Sequence, residues 1–143
     1  MLLDVLVRHD VARRWNCAEP NPGWPELQQC ELAQRDGVFV VNTTGDQPFL
    51  SCDWATPAGE KEWWVCARIE GESLDAALSW ATAQAPTYSR ERSARFRMEA
   101  QSGTWRVHRV RFQSDQDIRS FRFAPANRAG AKLEIAWVAL INR

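Results

Sequence analysis

Trp105-Arg106-Val107-His108-Arg109-Val110-Arg111-Phe112 decides the fold class of this chain. Side chains of a β-strand alternate between its two faces. Trp105, Val107, Arg109 and Arg111 therefore share one face, and Arg106, His108, Val110 and Phe112 share the other. The same two-residue period runs through Ala94, Phe96 and Met98 against Arg95, Arg97 and Glu99. It returns in Leu133, Ile135, Trp137 and Ala139 against Glu134, Ala136, Val138 and Leu140. Further upstream, Trp63, Val65, Ala67 and Ile69 oppose Trp64, Cys66 and Arg68. Residues 38–42, 49–53 and 118–123 are short β-branched and aromatic runs of the same kind. Turn signals separate them: Asp36-Gly37, Thr44-Gly45-Asp46-Gln47-Pro48, a loop at residues 56–60, Gln101-Ser102-Gly103, Ser114-Asp115-Gln116-Asp117 and Ala129-Gly130. Many short strands punctuated this way predict an all-β fold, an antiparallel two-sheet sandwich or barrel.

Two regions resist this reading. The first thirty residues read as irregular: residues 1–14 suit a short strand or helix, and Pro20, Pro22, Gly23, Trp24 and Pro25 make a loop. Residues 74–85 are ambiguous, because their alanines favour helix while Leu78, Trp80 and Thr82 alternate.

The chain has 143 residues with 18 basic and 18 acidic side chains, so its formal net charge is zero. That length suits one domain, residues 1–143, and the charge balance argues against a nucleic-acid binder. No apolar stretch is long enough for a membrane-spanning helix, and residues 1–7 are broken by Asp4, so neither a span nor a secretory signal is expected. The expected location is the cytoplasm, unless the chain is a piece of a longer one. The four cysteines Cys17, Cys30, Cys52 and Cys66 form no C-x-x-C pair, and His9 and His108 are the only histidines. No metal site or cofactor is expected from that spacing. Buried thiols are favoured; were a bridge to form, Cys52–Cys66 would be the choice.

In order along the chain, several segments resemble a β-sandwich module found on bacterial glycosyltransferases and polysaccharide-biosynthesis proteins. The opening is Asp36-Gly37-Val38-Phe39-Val40-Val41-Asn42-Thr43-Thr44-Gly45-Asp46-Gln47-Pro48-Phe49. The aromatic strand Ser79-Trp80-Ala81-Thr82 and the segment Tyr88-Ser89-Arg90-Glu91-Arg92-Ser93-Ala94-Arg95-Phe96 follow. The close is Ile118-Arg119-Ser120-Phe121-Arg122-Phe123-Ala124-Pro125-Ala126-Asn127-Arg128-Ala129-Gly130, then Leu133-Glu134-Ile135. The resemblance spans residues 32–140. It implies a jelly-roll, galactose-binding-like or carbohydrate-binding-module-like sandwich, and it implies that residues 74–82 are a strand. The chain departs from the family at two places: Ala124-Pro125 stands where the family has Asp-Pro, and Gln47 splits the earlier Asp-Pro. No cluster of carboxylates suited to calcium is visible.

Chemistry is sparse in this sequence. Neither histidine neighbours a nucleophile, no carboxylate pair stands out, and no phosphate-binding glycine motif occurs. A non-catalytic role is therefore expected. Sugar rings are held by flat aromatic faces beside bidentate polar groups, which singles out Trp54, Trp64 with Arg68, Trp80, and the Tyr88, Arg90 and Arg92 loop. Trp63, Trp105 and Trp137 are expected in the core, Trp64 and Trp80 in either place, and Trp54 and Tyr88 at the surface. The arginines alternating through residues 90–97 and 106–111 read as a solvated face, with contact to phosphate or acidic glycan as the other reading. The expected function is a carbohydrate-binding-like accessory module that binds or docks a bacterial glycan for a glycosyltransferase. Its partners would be the glycan or the transferase domain, with a homodimer as a further form. The alternatives are a structural protein–protein interaction domain with no sugar site and a small β-sandwich hydrolase.

Overall fold

A computed structural model describes residues 2–20, 22–23, 25–101 and 103–143. Trp24 of the proline-rich loop and Ser102 of the 101–103 turn lie outside the described residues. A 3-10 turn, Leu3–Leu6, precedes β1 (Asp10–Asn16), β2 (Glu26–Gln28), β3 (Cys30–Arg35), β4 (Val38–Thr43), β5 (Phe49–Cys52) and β6 (Gly59–Glu70). Then come β7 (Leu74–Thr82), a second 3-10 turn (Arg90–Arg92), β8 (Ser93–Met98), β9 (Arg106–Ser114), β10 (Ile118–Ala124) and β11 (Lys132–Asn142). All strand pairs are antiparallel. One sheet runs β3-β4-β11-β6-β9, with β1 also on β11; the other runs β2-β5-β10-β7-β8. The fold is the expected two-sheet all-β sandwich.

Local chemistry explains most boundaries. Asp36 and Gly37 both have positive φ, 53° and 81°, so Arg35 pairs with Val38 across a two-residue hairpin loop. Such a loop requires two left-handed residues, which Asp-Gly supplies. Residues 74–82 form a strand despite their alanines, because Leu74, Ala76, Leu78 and Trp80 all face the inter-sheet core. Burial of that face outweighs a helix preference worth tenths of a kcal/mol per residue. Gly59 and Glu60, read as loop, are instead the start of β6.

The first thirty residues are more regular than their composition suggests. They hold β1 and β2 as well as the 3-10 turn at Leu3–Leu6. β11 is long enough to serve two partners along one edge: β4 on Lys132–Ile135 and β1 on Trp137–Asn142.

The chain builds two apolar clusters. The larger lies between the sheets and includes Phe39, Val65, Trp63, Leu78, Trp80, Phe121, Phe123, Leu133 and Ile135. The second lies on the outer face of the six-stranded sheet, where Leu6 packs with Trp64, Cys66, Trp137, Ala139 and Ile141. Trp137 is fully buried, as expected of a core residue, but not on the face of Leu133 and Ile135 where the alternation put it. A bulge between Ile135 and Trp137 shifts the β6–β11 register, so Val138 and Leu140 turn inward while Trp137 turns outward. One extra residue exchanges the faces of everything beyond it. Trp105 also departs from expectation: it is half-buried on that same outer face, beneath the Arg68 guanidinium at 5.1 Å. Among the described residues no helix is long and apolar enough to cross a membrane.

Candidate functional site

Strand register fixes what the outer face of the five-stranded sheet presents, because paired residues point the same way. One row across it is Glu26, Ser51, Arg122, Ser79 and Ser93, contributed by β2, β5, β10, β7 and β8 in turn. The neighbouring row holds Ala124, Ala77 and Arg95, and on the other side Ser120 lies opposite Ala81. Seven of these ten side chains are serine or alanine, so the face is a shallow trough. It holds two hollows. One of about 480 Å³ is lined by Asp75, Ala77, Arg95 and Asn127 among others. The second, about 470 Å³, is lined by residues including Asp53, Ala81, Arg119 and Ser120.

Arg122, from the central strand β10, stands at the middle of the first row. Phe49, from β5 on one flank, lies 4.2 Å from its guanidinium carbon; Tyr88, from the segment following β7 on the other flank, also lies at 4.2 Å. Both rings offer the negative face that attracts a cation. The Tyr88 hydroxyl is tied to the Ser120 hydroxyl at 2.6 Å. Local geometry brings Tyr88 there. Thr82 and Ala85 close a tight turn, and the Arg90–Arg92 turn sends the chain back into β8. The Arg92 guanidinium donates to the Thr87 carbonyl at 2.7 Å, and the Ser93 hydroxyl donates to the Ser89 carbonyl at 2.6 Å.

Three polar atoms around Tyr88 are enclosed without a hydrogen-bond partner: Nε of Arg122, Nε of Arg92 and the Ser89 hydroxyl. Buried polar atoms are ordinarily satisfied, and concentrated exceptions call for an explanation.

The structure distributes the sequence-derived candidates unevenly. Tyr88 reaches this trough through Arg122, and Arg92 braces its segment by the bond to Thr87, whereas Arg90 is exposed on the 3-10 turn and makes no contact that ties it to the trough among the described residues. Trp64 and Trp80 do not serve as platforms, being only 1% and 5% exposed. Trp64 lies under the N-terminal segment, 4.6 Å from the His9 ring and 4.0 Å from Arg109. Trp80 packs on Phe112 in the core at 4.8 Å. Arg68 is on the opposite sheet, where one of its nitrogens donates to both Glu134 oxygens at 2.9 Å. Trp54 is half-buried, against Trp15 at 4.8 Å and Trp63 at 5.4 Å. It borders a groove of about 540 Å³ with Arg13, Arg14, Glu26 and Asp53, which adjoins the trough at Glu26 and Ser51 and the second hollow at Asp53. Phe49 and Arg122 are the residues that sequence reasoning missed. The available signal was an arginine between Phe121 and Phe123, on the solvent side of a central strand.

Other groups in the chain are chemically quiet. Cys52 and Cys66 belong to different sheets and are both thiols, so the Cys52–Cys66 bridge does not form. Burial pushes Cys17 and Cys52 up to about 12 and Cys66 up to about 11. His108 is buried, and its pKa is lowered by burial and by Arg106, with its Nε2 unpartnered. Among the described residues no three His, Cys, Asp or Glu side chains cluster to hold a metal ion.

No family model matches the sequence, and no curated protein matches it. Solved structures do match the fold. The CBM1 module of BiXyn10A superposes with a TM-score of 0.66 at 9% identity, covering 94% of this chain and 99% of that one. A family 29 carbohydrate-binding module complexed with mannohexaose gives 0.64 at 12% identity, covering 95% and 94%. A carbohydrate-binding module of Cellvibrio mixtus lichenase 5A in complex with cellotriose gives 0.62 at 12% identity, covering 93% and 98%. The chain has the β-sandwich fold of carbohydrate-binding modules.

Proposed function

We propose that this chain is a non-catalytic carbohydrate-binding module that holds a glycan on the outer face of its five-stranded sheet. The observation that carries the reading is the Phe49–Arg122–Tyr88 stack, which stands in a trough of small side chains and is surrounded by unsatisfied polar atoms. A sugar needs an aromatic surface for its C–H face and fixed polar groups for its hydroxyls. The trough offers both, with room for a chain: from Ala77 to Ala81 the floor of β7 extends roughly 13 Å at the usual strand rise. The fold shared with sugar-binding modules supports the reading. The sequence motifs add the finer part, that the module docks a bacterial glycan for an associated glycosyltransferase.

Isothermal titration against a panel of oligosaccharides tests the site. At least one should bind, and Tyr88→Ala should weaken that binding about tenfold or more while the circular dichroism stays unchanged. Absence of any saccharide binding at millimolar concentration would refute the reading. Co-purification of the chain with a glycosyltransferase tests the association.

A further inference from the structure

We infer that the ligand of this trough carries an anionic group, a pair of carboxylate, phosphate or sulfate oxygens on a sugar, and that Arg122 and Arg92 receive it. The inference rests on the sugar-binding reading and adds its charge class.

Geometry is the first argument. Phe49 and Tyr88 approach Arg122 from opposite flanks, because β5 and β7 lie on either side of β10. Held between two rings and with its Nε enclosed, the guanidinium keeps its terminal N–H groups, which lie in its own plane, for a partner. That in-plane fork matches the paired oxygens of a carboxylate or phosphate.

Lack of a partner is the second argument. Among the described residues the Arg122 side chain makes neither a hydrogen bond nor an ion pair, and its Nε is enclosed. Arg92 spends one nitrogen on the Thr87 carbonyl, an uncharged acceptor, and its Nε is enclosed and unpartnered as well. Three arginines have carboxylates, Arg68 with Glu134, Arg97 with Asp75 and Glu99, and Arg143 with Glu62; among the arginines with no ion pair, Arg122 is set apart by standing between two rings. The Ser89 hydroxyl, three residues before Arg92, is enclosed and unsatisfied as well.

The surroundings are the third argument. Arg119 and Arg95 line the two hollows, and neither forms an ion pair among the described residues. The carboxylate of Asp75, in the same hollow as Arg95, is engaged by Arg97 at 3.3 Å. Asp53, which shares the hollow of Arg119, is the carboxylate that an anionic ligand has to avoid there.

The test titrates the full chain with four probes: a galacturonate hexamer, a sulfated oligosaccharide, cellohexaose and mannohexaose. One of the two anionic probes should bind at least tenfold more tightly than either neutral one, and which of them does identifies the anion. That binding should weaken as sodium chloride rises. Arg122→Gln should abolish it and Arg122→Lys should weaken it tenfold or more, since lysine keeps the charge but loses the fork. Arg92→Gln, on the peripheral turn, gives a second reading should the Arg122 variants fail to fold. Arg111→Gln removes the same charge from the other sheet and should change nothing; an equal loss there would overturn the inference in favour of diffuse attraction. Neutral oligosaccharides binding as tightly as anionic ones would overturn the inference and leave the sugar-binding reading standing. No binding by any of the four would refute both.

Discussion

The outer faces of the two sheets meet opposite fates. On the six-stranded sheet the outward positions carry Trp64, Cys66, Trp137, Ala139 and Ile141, and the Leu3–Leu6 turn folds over them. On the five-stranded sheet they carry Ser51, Ser79, Ala77, Ala81 and Ala124, and no apolar cluster lies over them among the described residues. Tryptophan went to the face that the chain covers itself; serine and alanine went to the face left to solvent, around an arginine held between Phe49 and Tyr88. An outward tryptophan is therefore a poor marker of a ligand platform when a neighbouring segment can lie on it. The better marker is a long polar side chain held between rings on an otherwise bare strand face.

Breaking the covered face should have the largest effect. Trp64→Ala removes an indole that is 1% exposed from beneath the N-terminal turn. Loss of a buried tryptophan costs about 3–5 kcal/mol. A urea unfolding curve should show a loss in that range, with saccharide binding unaffected wherever the variant is folded. A loss under about 1 kcal/mol would mean that the cover is loosely held. Leu6→Ala attacks the cover from the other side. Leu6 is buried, but its short 3-10 turn can settle into the gap, so the loss should be near the low end for leucine, about 2 kcal/mol.

On the open face the same kind of truncation should hardly matter to stability. Arg122→Gln gives up two cation–π contacts at a half-exposed site, about 1 kcal/mol together. Its large effect should fall on binding. If Arg122→Gln destabilised the fold as much as Trp64→Ala, the stack would be structural glue and the contrast between the faces would fail.

Much of this contrast was hidden in the sequence for identifiable reasons. The strands were legible because alternation such as Val65, Ala67 and Ile69 against Cys66 and Arg68 is local. The Asp36-Gly37 hairpin was legible because only a few residue pairs accept two positive φ angles. The position of Trp137 was not, since the bulge at β11 is a register event between strands and leaves no mark on composition. The fate of Trp64 was not, since it depends on a segment more than fifty residues away folding over it. The site was half legible. Tyr88 and Arg92 are close in sequence, whereas Phe49 and Arg122 join them only through the order β5-β10-β7.

The interior between the two faces carries a titratable probe. Burial and the Arg106 charge lower the pKa of His108 from its ordinary 6.5, so the folded state resists protonation there. The unfolded chain then binds the proton more readily, and stability should fall as pH drops from about 6.5 toward the lower folded value. Above that range His108 contributes no pH dependence. The melting temperature of the wild type should fall more between pH 8 and pH 5 than that of His108→Gln. Parallel losses in the two proteins would place the acid sensitivity in the carboxylates.

Thiol labelling compares the covered face with the core between the sheets. Cys66 lies in the covered cluster, and Cys52, on β5, packs against the inter-sheet cluster. Burial holds Cys66 at about 11 and Cys52 at about 12, so at pH 8 the thiolate of each is scarce. Both should react with a disulfide reagent far more slowly in the native protein than in urea. Leu6→Ala should open the cover transiently and speed the labelling of Cys66 without speeding that of Cys52, because local openings expose only the thiols they uncover. Equal acceleration at both cysteines would mean that the variant opens the sandwich as a whole. The N-terminal turn would then be part of a single cooperative unit with the inter-sheet core, and not a separate cover laid on one face.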